Sequence, residues 1–330
     1  MDYHVYPTER GKLMQTKDTA VTGTAQQILN QVRRAVVGKD TALLWVLAAI
    51  LARGHILLED IPGVGKTTMA LAFSRVLGLD YSRVQFTPDV LPSDVTGYSI
   101  LDPQTREMRY QPGAVLTNLF LADELNRATS RTQSALLEAM EEGQVTVDGI
   151  SHPLPQPFVV IATQNPTGAA GTQLLPDSQM DRFTIRLSLG YPSPKDEAAM
   201  VLSRQGTNPL KELLPLVTRE QLVQMQEKVE ETFVSDTVVH YIVSLIAATR
   251  QSDQILRGAS PRATLAVTAM AKSVARLRGR DYVVPGDVRE VFVHTVSHRI
   301  LLSAKAESLG RQPEQILRTI LESVDAPKLR

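Results

Sequence analysis

The chain predicts an α/β fold with a parallel sheet between two layers of helices, followed by a smaller helical domain. Three observations carry that reading. Short apolar runs near Ile56, Val84, Leu119, Val159 and Ile185 alternate with helical segments, the pattern of a parallel, three-layer sheet. One of them, Leu119-Phe120-Leu121-Ala122, is apolar without interruption, as a strand buried on both faces must be. From Ser193 onward the strand signal fades and helical periodicity dominates. The expected boundaries are an irregular, flexible lead over 1–21, an α/β core over 22–192 and a helical domain over 193–330.

In chain order, the polar lead gives way to helical periodicity over Ala25 to Val36 and Thr41 to Arg53, with Val37-Gly38-Lys39 between them. A strand, Ile56-Leu57-Leu58-Glu59, then runs into Asp60-Ile61-Pro62-Gly63-Val64-Gly65-Lys66-Thr67-Thr68. Glycines 63 and 65 can adopt positive φ and turn successive N–H groups toward phosphate oxygens, and the helix beginning near Lys66 points its positive end at the same charge. Pro62, Gly63, Val64, Gly65, Lys66, Thr67 and Thr68 are therefore the candidate nucleotide-binding residues. Lys66 would neutralise the β- and γ-phosphates, and the Thr67 hydroxyl would ligate Mg²⁺. The pattern G-x-x-x-x-G-K-[ST] wants glycine at position 60, where this chain has Asp60. A glycine turn without a ligand would use similar residues, but the flanking strand and helix are the context that the phosphate motif requires.

The Leu119 strand ends in Asp123-Glu124, two carboxylates at the edge where parallel sheets bind ligands. Asp123 would hold Mg²⁺ and Glu124 would polarise an attacking water. Thr96 to Gln111 alternates about Asp102-Pro103 and Gln144 to Leu154 about Asp148-Gly149, so two hairpins are expected, near 96–111 and 144–154. Either could reach a partner or merely cover the sheet. Phe158 to Ala162 forms another apolar run ending near Asn165-Pro166, which by itself also reads as a turn. Helices follow over Lys195 to Ser203, Arg219 to Glu231, Asp236 to Gln251, Pro261 to Leu277 and Pro285 to Leu301. Ser260 suits an N-cap and Pro261 the first helical position, which sets Arg262 in a first turn where the dipole disfavours a cation. A residue breaking a local rule is a functional suspect, although a long side chain could also snorkel to solvent. His294 and His298, spaced i, i+4, lack an acidic ligand to complete a metal set.

Composition narrows the function. Lysine plus arginine equal aspartate plus glutamate at 35 each, and aromatics are 5%, whereas a nucleic-acid motor usually carries a basic surplus and stacking aromatics. No cysteine is present, which fits a reducing cytoplasm. The stretch from Ala42 to Ala52 is too short to span a bilayer, and the first residues carry charge in place of a signal core. A soluble, cytoplasmic protein is expected.

At the level of whole motifs the chain resembles the MoxR family of AAA+ ATPases. The similarity rests on Ala122-Asp123-Glu124-Leu125-Asn126-Arg127-Ala128, the run from Thr132 to Glu142 with Val145-Thr146, and Ala162-Thr163-Gln164-Asn165-Pro166. Asp181-Arg182-Phe183, Leu187 to Pro192 and Gly258 to Ala263 complete the ordered set. Relatives often carry an acidic residue before Ile61-Pro62. The resemblance implies an AAA+ αβα core, with the phosphate-loop strand central and the Asp123 and Asn165 strands beside it, and a helical lid. It implies that Val36, Val37 and Gly38 touch adenine, that Asn165 is the sensor orienting water with Glu124, and that Arg182 is an arginine finger reaching a neighbour's nucleotide. A local pair with Asp181 would be the plainer use of Arg182. By the same resemblance Arg262 is the second sensor, a lid arginine meeting the γ-phosphate. The implied activity is Mg²⁺-dependent ATP hydrolysis by a hexameric ring that remodels or matures a protein client, often with a partner carrying a von Willebrand factor A domain. A small-molecule kinase, a nucleic-acid-stimulated motor and a nucleotide-gated scaffold with little turnover stay open as alternatives.

Overall fold

The computed structural model describes residues 19–165, 175–203 and 208–328. Helices α1 (Thr19–Ala35) and α2 (Asp40–Leu51) precede β1 (Ile56–Glu59), α3 (Lys66–Val76) and β2 (Tyr81–Gln85). A short α4 (Pro92–Thr96) opens the hairpin β3 (Gly97–Leu101) and β4 (Met108–Pro112), followed by β5 (Leu119–Asp123) and α5 (Ser130–Glu142). The second hairpin is β6 (Gln144–Val147) and β7 (Ile150–Pro153), before β8 (Val159–Gln164), α6 (Asp177–Met180) and β9 (Ile185–Leu187). The remainder comprises α7 (Pro194–Ser203), α8 (Arg219–Glu230), α9 (Asp236–Gln251), β10 (Ile255–Arg257), α10 (Pro261–Leu277), α11 (Pro285–Val296), β11 (Leu301–Leu302), α12 (Ala304–Ser308) and α13 (Pro313–Ser323).

Five parallel strands form one sheet in the order β2-β5-β8-β1-β9. This corrects the expected arrangement: β8 is the central strand, and it separates the strand of Asp123 from the phosphate-loop strand. The five segments expected as strands are the five strands found. Period-2 alternation divides their side chains between two cores. Ile56, Leu58, Leu121, Ile161 and Ile185 face α1, α2, α3 and the C-terminal helices. Leu57, Phe120, Ala122, Val160 and Ala162 face α5 and the hairpin bases.

Helix α1 opens at Thr19, inside the segment expected to be irregular, because Val21 and Ala25 continue its buried stripe. The C-terminal region is helical but contains an antiparallel ribbon of β10 and β11, whose strands are too short to register as a periodic signal. Helix α11 ends at Val296 and tightens into a 3-10 turn over Ser297–Arg299, five residues before the expected end at Leu301. That turn directs His298 Nε2 to the Phe183 carbonyl at 2.8 Å and Arg299 Nη2 to the same oxygen at 2.7 Å. Two buried bonds dock the lid helices on the core: Gln226 Nε2 donates to Ile50 O at 2.7 Å and Ser273 Oγ to Ala48 O at 2.8 Å.

Candidate functional site

Every strand of the main sheet ends at the same edge, so β1, β5 and β8 deliver their following residues together. There Pro62, Gly63, Gly65, Lys66, Thr67 and Thr68 line one cavity of about 380 Å³ with Asp123, Glu124 and Asn165. Gly63 and Gly65 have φ of +87° and +99°, values costly for any residue with a Cβ, and no atom lies within 4 Å of where a Cβ would stand. The loop is therefore held open as a cradle of N–H groups. Val64 turns away from it and packs against the core.

Lys66 Nζ donates to the Asp60 and Ile61 carbonyls at 2.7 and 3.3 Å. Burial pushes its pKa below the ordinary lysine value, opposed by the charges of Asp60, Asp123 and Glu124. Its ammonium is thus folded back on its own loop, in a site where added negative charge would be favourable. Asp60 has a different task. Its carboxylate accepts from Ser188 Oγ at 2.9 Å, from Gly190 N at 3.1 Å and from Leu189 N, while Lys39 Nζ binds the Leu189 and Gly190 carbonyls at 2.8 and 2.7 Å. The residue that departs from the glycine pattern therefore ties the loop's root to the segment after β9.

Asp123 is oriented from two sides, by Thr163 Oγ1 at 2.7 Å and by Arg83 Nη2 at 2.7 Å. Glu124 leaves the strand in the left-handed region at φ +56°, uncommon for a non-glycine residue, with its N–H held by Thr163 Oγ1 at 2.8 Å. One Glu124 oxygen accepts from Asn165 Nδ2 at 3.3 Å and the other from Arg127 Nη1 at 3.0 Å. Asn165 Oδ1 is buried without a hydrogen-bond partner. These groups suit Mg²⁺ and a triphosphate: a fixed hard carboxylate, a hydroxyl, a cationic lysine and an open nest of amides. Arg83, Arg127 and Thr163 are functional neighbours that the sequence reading missed. Arg127 lay within a quoted motif, whereas Arg83 is legible only once β2 is known to pair with β5.

The remaining expected residues lie elsewhere. Gly38, at φ +72°, lines a separate cavity of about 190 Å³ with Ser188 and Leu189; Val36 is buried in the core and Val37 is half-buried. Arg182 and Arg262 do not line the phosphate-loop cavity. Arg182 precedes β9, beyond the amino end of β1, since Thr184 N bonds His55 O. The length of β1, about 13 Å at roughly 3.3 Å per residue, separates it from the loop. Its Nε and Nη2 bind Glu141 Oε2 at 2.9 and 2.8 Å, and Arg262 Nη2 binds Glu141 Oε1. The plainer pairing of Arg182 with Asp181 is absent, because Asp181 is taken by Arg299 at 2.6 Å and by Ser260 Oγ at 2.9 Å. Ser260 consequently makes no side-chain cap on α10. His298 spends Nε2 on Phe183 O and His294 packs on Trp45 at 5.1 Å. No group of three or more metal-ligating His, Cys, Asp or Glu side chains occurs among the described residues. Nor does any described helix have the length and apolarity to cross a membrane.

A family profile described as "ATPase family associated with various cellular activities (AAA)" matches residues 55–185, and one described as "AAA lid domain" matches residues 247–320. The chain is 44% identical over 302 residues to an uncharacterised protein, YeaC, of Bacillus subtilis, covering 92% of this chain and 94% of that one. It is 40% identical over 315 residues to the protein named Chaperone MoxR1 of Mycobacterium tuberculosis, covering 93% and 83%. The crystal structure of a presumptive ATPase from Cytophaga hutchinsonii superposes with a TM-score of 0.87 at 35% identity, covering 94% of this chain and 97% of that one. With the ordered motifs, the five-stranded sheet and a MoxR-named relative all matching over nearly its full length, the chain belongs to the MoxR family of AAA+ ATPases.

Proposed function

We propose that this protein hydrolyses ATP with Mg²⁺ at a cleft completed by a second copy of itself, and uses the cycle to remodel protein clients. The supporting observation is a division of labour. Lys66, Thr67, Asp123, Glu124 and Asn165 share one cavity, while Arg182 and Arg262 converge on Glu141 at the opposite end of the sheet. Such a set is complete only when one copy's carboxyl edge meets another's amino edge. That contact is head-to-tail, and head-to-tail contacts close into rings where the rotation between copies closes. The family points to six members.

On the cavity side, Lys66 would leave the Asp60 and Ile61 carbonyls for the β- and γ-phosphates, and Thr67 with Asp123 would hold the metal. When bound, Mg²⁺ would offset the charge of the phosphates. Glu124 accepts the proton of the attacking water, which Asn165 orients. For that step Glu124 must be released from Arg127, which neutralises it in the free protein. From the neighbour, Arg182 and Arg262 meet charge developing on the terminal phosphate. Val37 and Gly38 are proposed to lie against the adenine.

A client role follows the relative named as a chaperone, and a cytoplasmic location is proposed with it. A von Willebrand factor A partner, and contact of the client with the hairpins, belong to the same proposal. Both hairpins expose apolar side chains, among them Leu101, Met108 and Ile150.

Light-scattering mass and ATP turnover of Arg182→Ala, alone and mixed with Lys66→Ala, test the shared cleft. Each variant alone should lose turnover by about 10³-fold while forming rings. A 1:1 mixture should recover about a quarter of wild-type turnover if sites act independently, because an Arg182→Ala site then borrows a finger from a Lys66→Ala neighbour. Absence of recovery in intact mixed rings would overturn the proposal.

A further inference from the structure

Arg182 and Arg262 come from different parts of the chain, one from the loop before β9 and one from the first turn of α10, yet they share a single carboxylate. Arg182 offers Nε and Nη2 to Glu141 Oε2 at 2.9 and 2.8 Å, while Arg262 Nη2 takes Oε1. Two guanidiniums arranged about two oxygens of one planar anion have the donor geometry that also grips two oxygens of a phosphate. The geometry points to a two-arginine phosphate site whose occupant in the free protomer is Glu141, standing in for the terminal phosphate of a nucleotide held by a neighbouring copy. This rests on the shared-cleft reading above and adds to it a residue, Glu141, that holds both arginines until the neighbour's phosphate displaces it.

Several observations favour exchange over a permanent brace. The side chains are partly open to solvent, 28% for Arg182, 44% for Arg262 and 40% for Glu141, so breaking these pairs is not prohibitive. Glu138 and Glu142 line the same cavity of about 240 Å³ as Glu141 and Arg182. The guanidinium donors that would grip a phosphate are the ones spent on Glu141, so carboxylate and phosphate compete for them. Contact with Arg262 first, and with Arg182 next, holds the Glu141 carboxyl below its ordinary pKa, so it is ionised at neutral pH. Asp181, the other acid nearby, is fixed by Arg299 and Ser260 and is not free to substitute.

The clamp makes a claim that a brace does not. Removing the charge of Glu141 should free the arginines and favour the complex with a neighbour's nucleotide, whereas removing a brace should misplace them. ATP turnover is measured against protein concentration for wild type, Glu141→Gln and Glu141→Asp, with circular dichroism as the folding control. Glu141 lies in the exposed last turn of α5, and Glu141→Asp keeps the charge should the amide variant fold poorly. Expected is a fall of about fivefold in the concentration giving half-maximal turnover for Glu141→Gln, with the saturating rate within about twofold of wild type and Glu141→Asp lying between. A rise in that concentration, a large loss of saturating rate, or no change in either variant would overturn the clamp. Recovery of turnover on mixing Arg182→Ala with Lys66→Ala would survive such a result, which separates failure of the clamp from failure of the shared cleft.

Discussion

His55 shows how one buried side chain links the molecule's stability to pH. It stands at the amino end of β1, where Nδ1 accepts from Val160 N at 3.1 Å and Nε2 donates to the Met140 carbonyl at 3.2 Å, so the neutral ring is satisfied on both sides. Burial lowers its pKa from 6.5 to about 4. The unfolded chain therefore binds the proton more tightly, and stability is complete above pH 6.5 and falls as pH drops toward 4. At pH 5 the loss from this residue is about 2 kcal/mol. Burial and neighbouring Arg299 push His298 in the same direction, which adds to the effect. Urea unfolding of wild type and His55→Asn at pH 7 and pH 5 checks this: the variant starts less stable but should lose about 2 kcal/mol less on acidification. Equal losses would show that His55 takes no part. The sequence offered no sign of this role. What it did offer at the residue scale was the set that local geometry assembles: the glycine loop, Lys66, Asp123, Glu124 and Asn165 all follow strand ends, so a list of strands already brings them together. Arg83 on Asp123 and Glu141 on the two arginines depend on register and docking, which no local pattern encodes.

Elements are joined near the loop by pairs that cross the sheet. Arg186 on β9 reaches Glu59 on β1 at 3.0 Å and Glu314 on α13 at 2.6 Å, so the strand that enters the phosphate loop is tied directly to a lid helix. Asp60 makes the second tie, to residues 188–190. Four of the five strands were legible as continuous or alternating apolar runs and β2 only through Val84 in a mixed segment, and the hairpin at Asp148-Gly149 because both residues adopt positive φ there, +50° and +79°. The order of the strands was not, since nothing in β8 alone says that it inserts between β1 and β5. Asp60 was read as a departure from the general pattern that relatives share, with no role attached, and its contacts show it tying the loop's root to residues 188–190. Restoring the pattern should accordingly do harm. Asp60→Gly leaves the buried amide of Leu189 and the neighbouring Gly190 N–H without their acceptor, at a cost of about 3 kcal/mol. Chemical denaturation should report that loss, and ATP turnover should fall with it even though the variant matches G-x-x-x-x-G-K-T. An unchanged midpoint with raised turnover would mean that Asp60 is a tolerated substitution and not a tie.

For the whole molecule, the separation of Lys66 from Arg182 along the sheet has a consequence that neither residue carries alone. Binding and turnover should part company on dilution. A single copy holds the full phosphate loop, the acidic pair and the open cradle, which is what affinity for nucleotide requires. On the shared-cleft proposal, the charge that would stabilise the transition state stands on the far edge, out of reach of the copy's own phosphate loop. Such an arginine is worth roughly 10³-fold or more in rate and little in ground-state affinity. Fluorescent-nucleotide titration at concentrations where light scattering reads a single copy should therefore give a Kd within about threefold of that of the assembled protein. Turnover per copy should drop by at least about tenfold over the same dilution. The net charge of zero supports the same experiment from another side, because no long-range repulsion opposes association and moderate salt should change the assembly point little. Should the diluted copy cleave ATP at the assembled rate, the arginines at the amino edge would serve docking of the lid alone, and catalysis would have to be explained within the 380 Å³ cavity by the residues that line it.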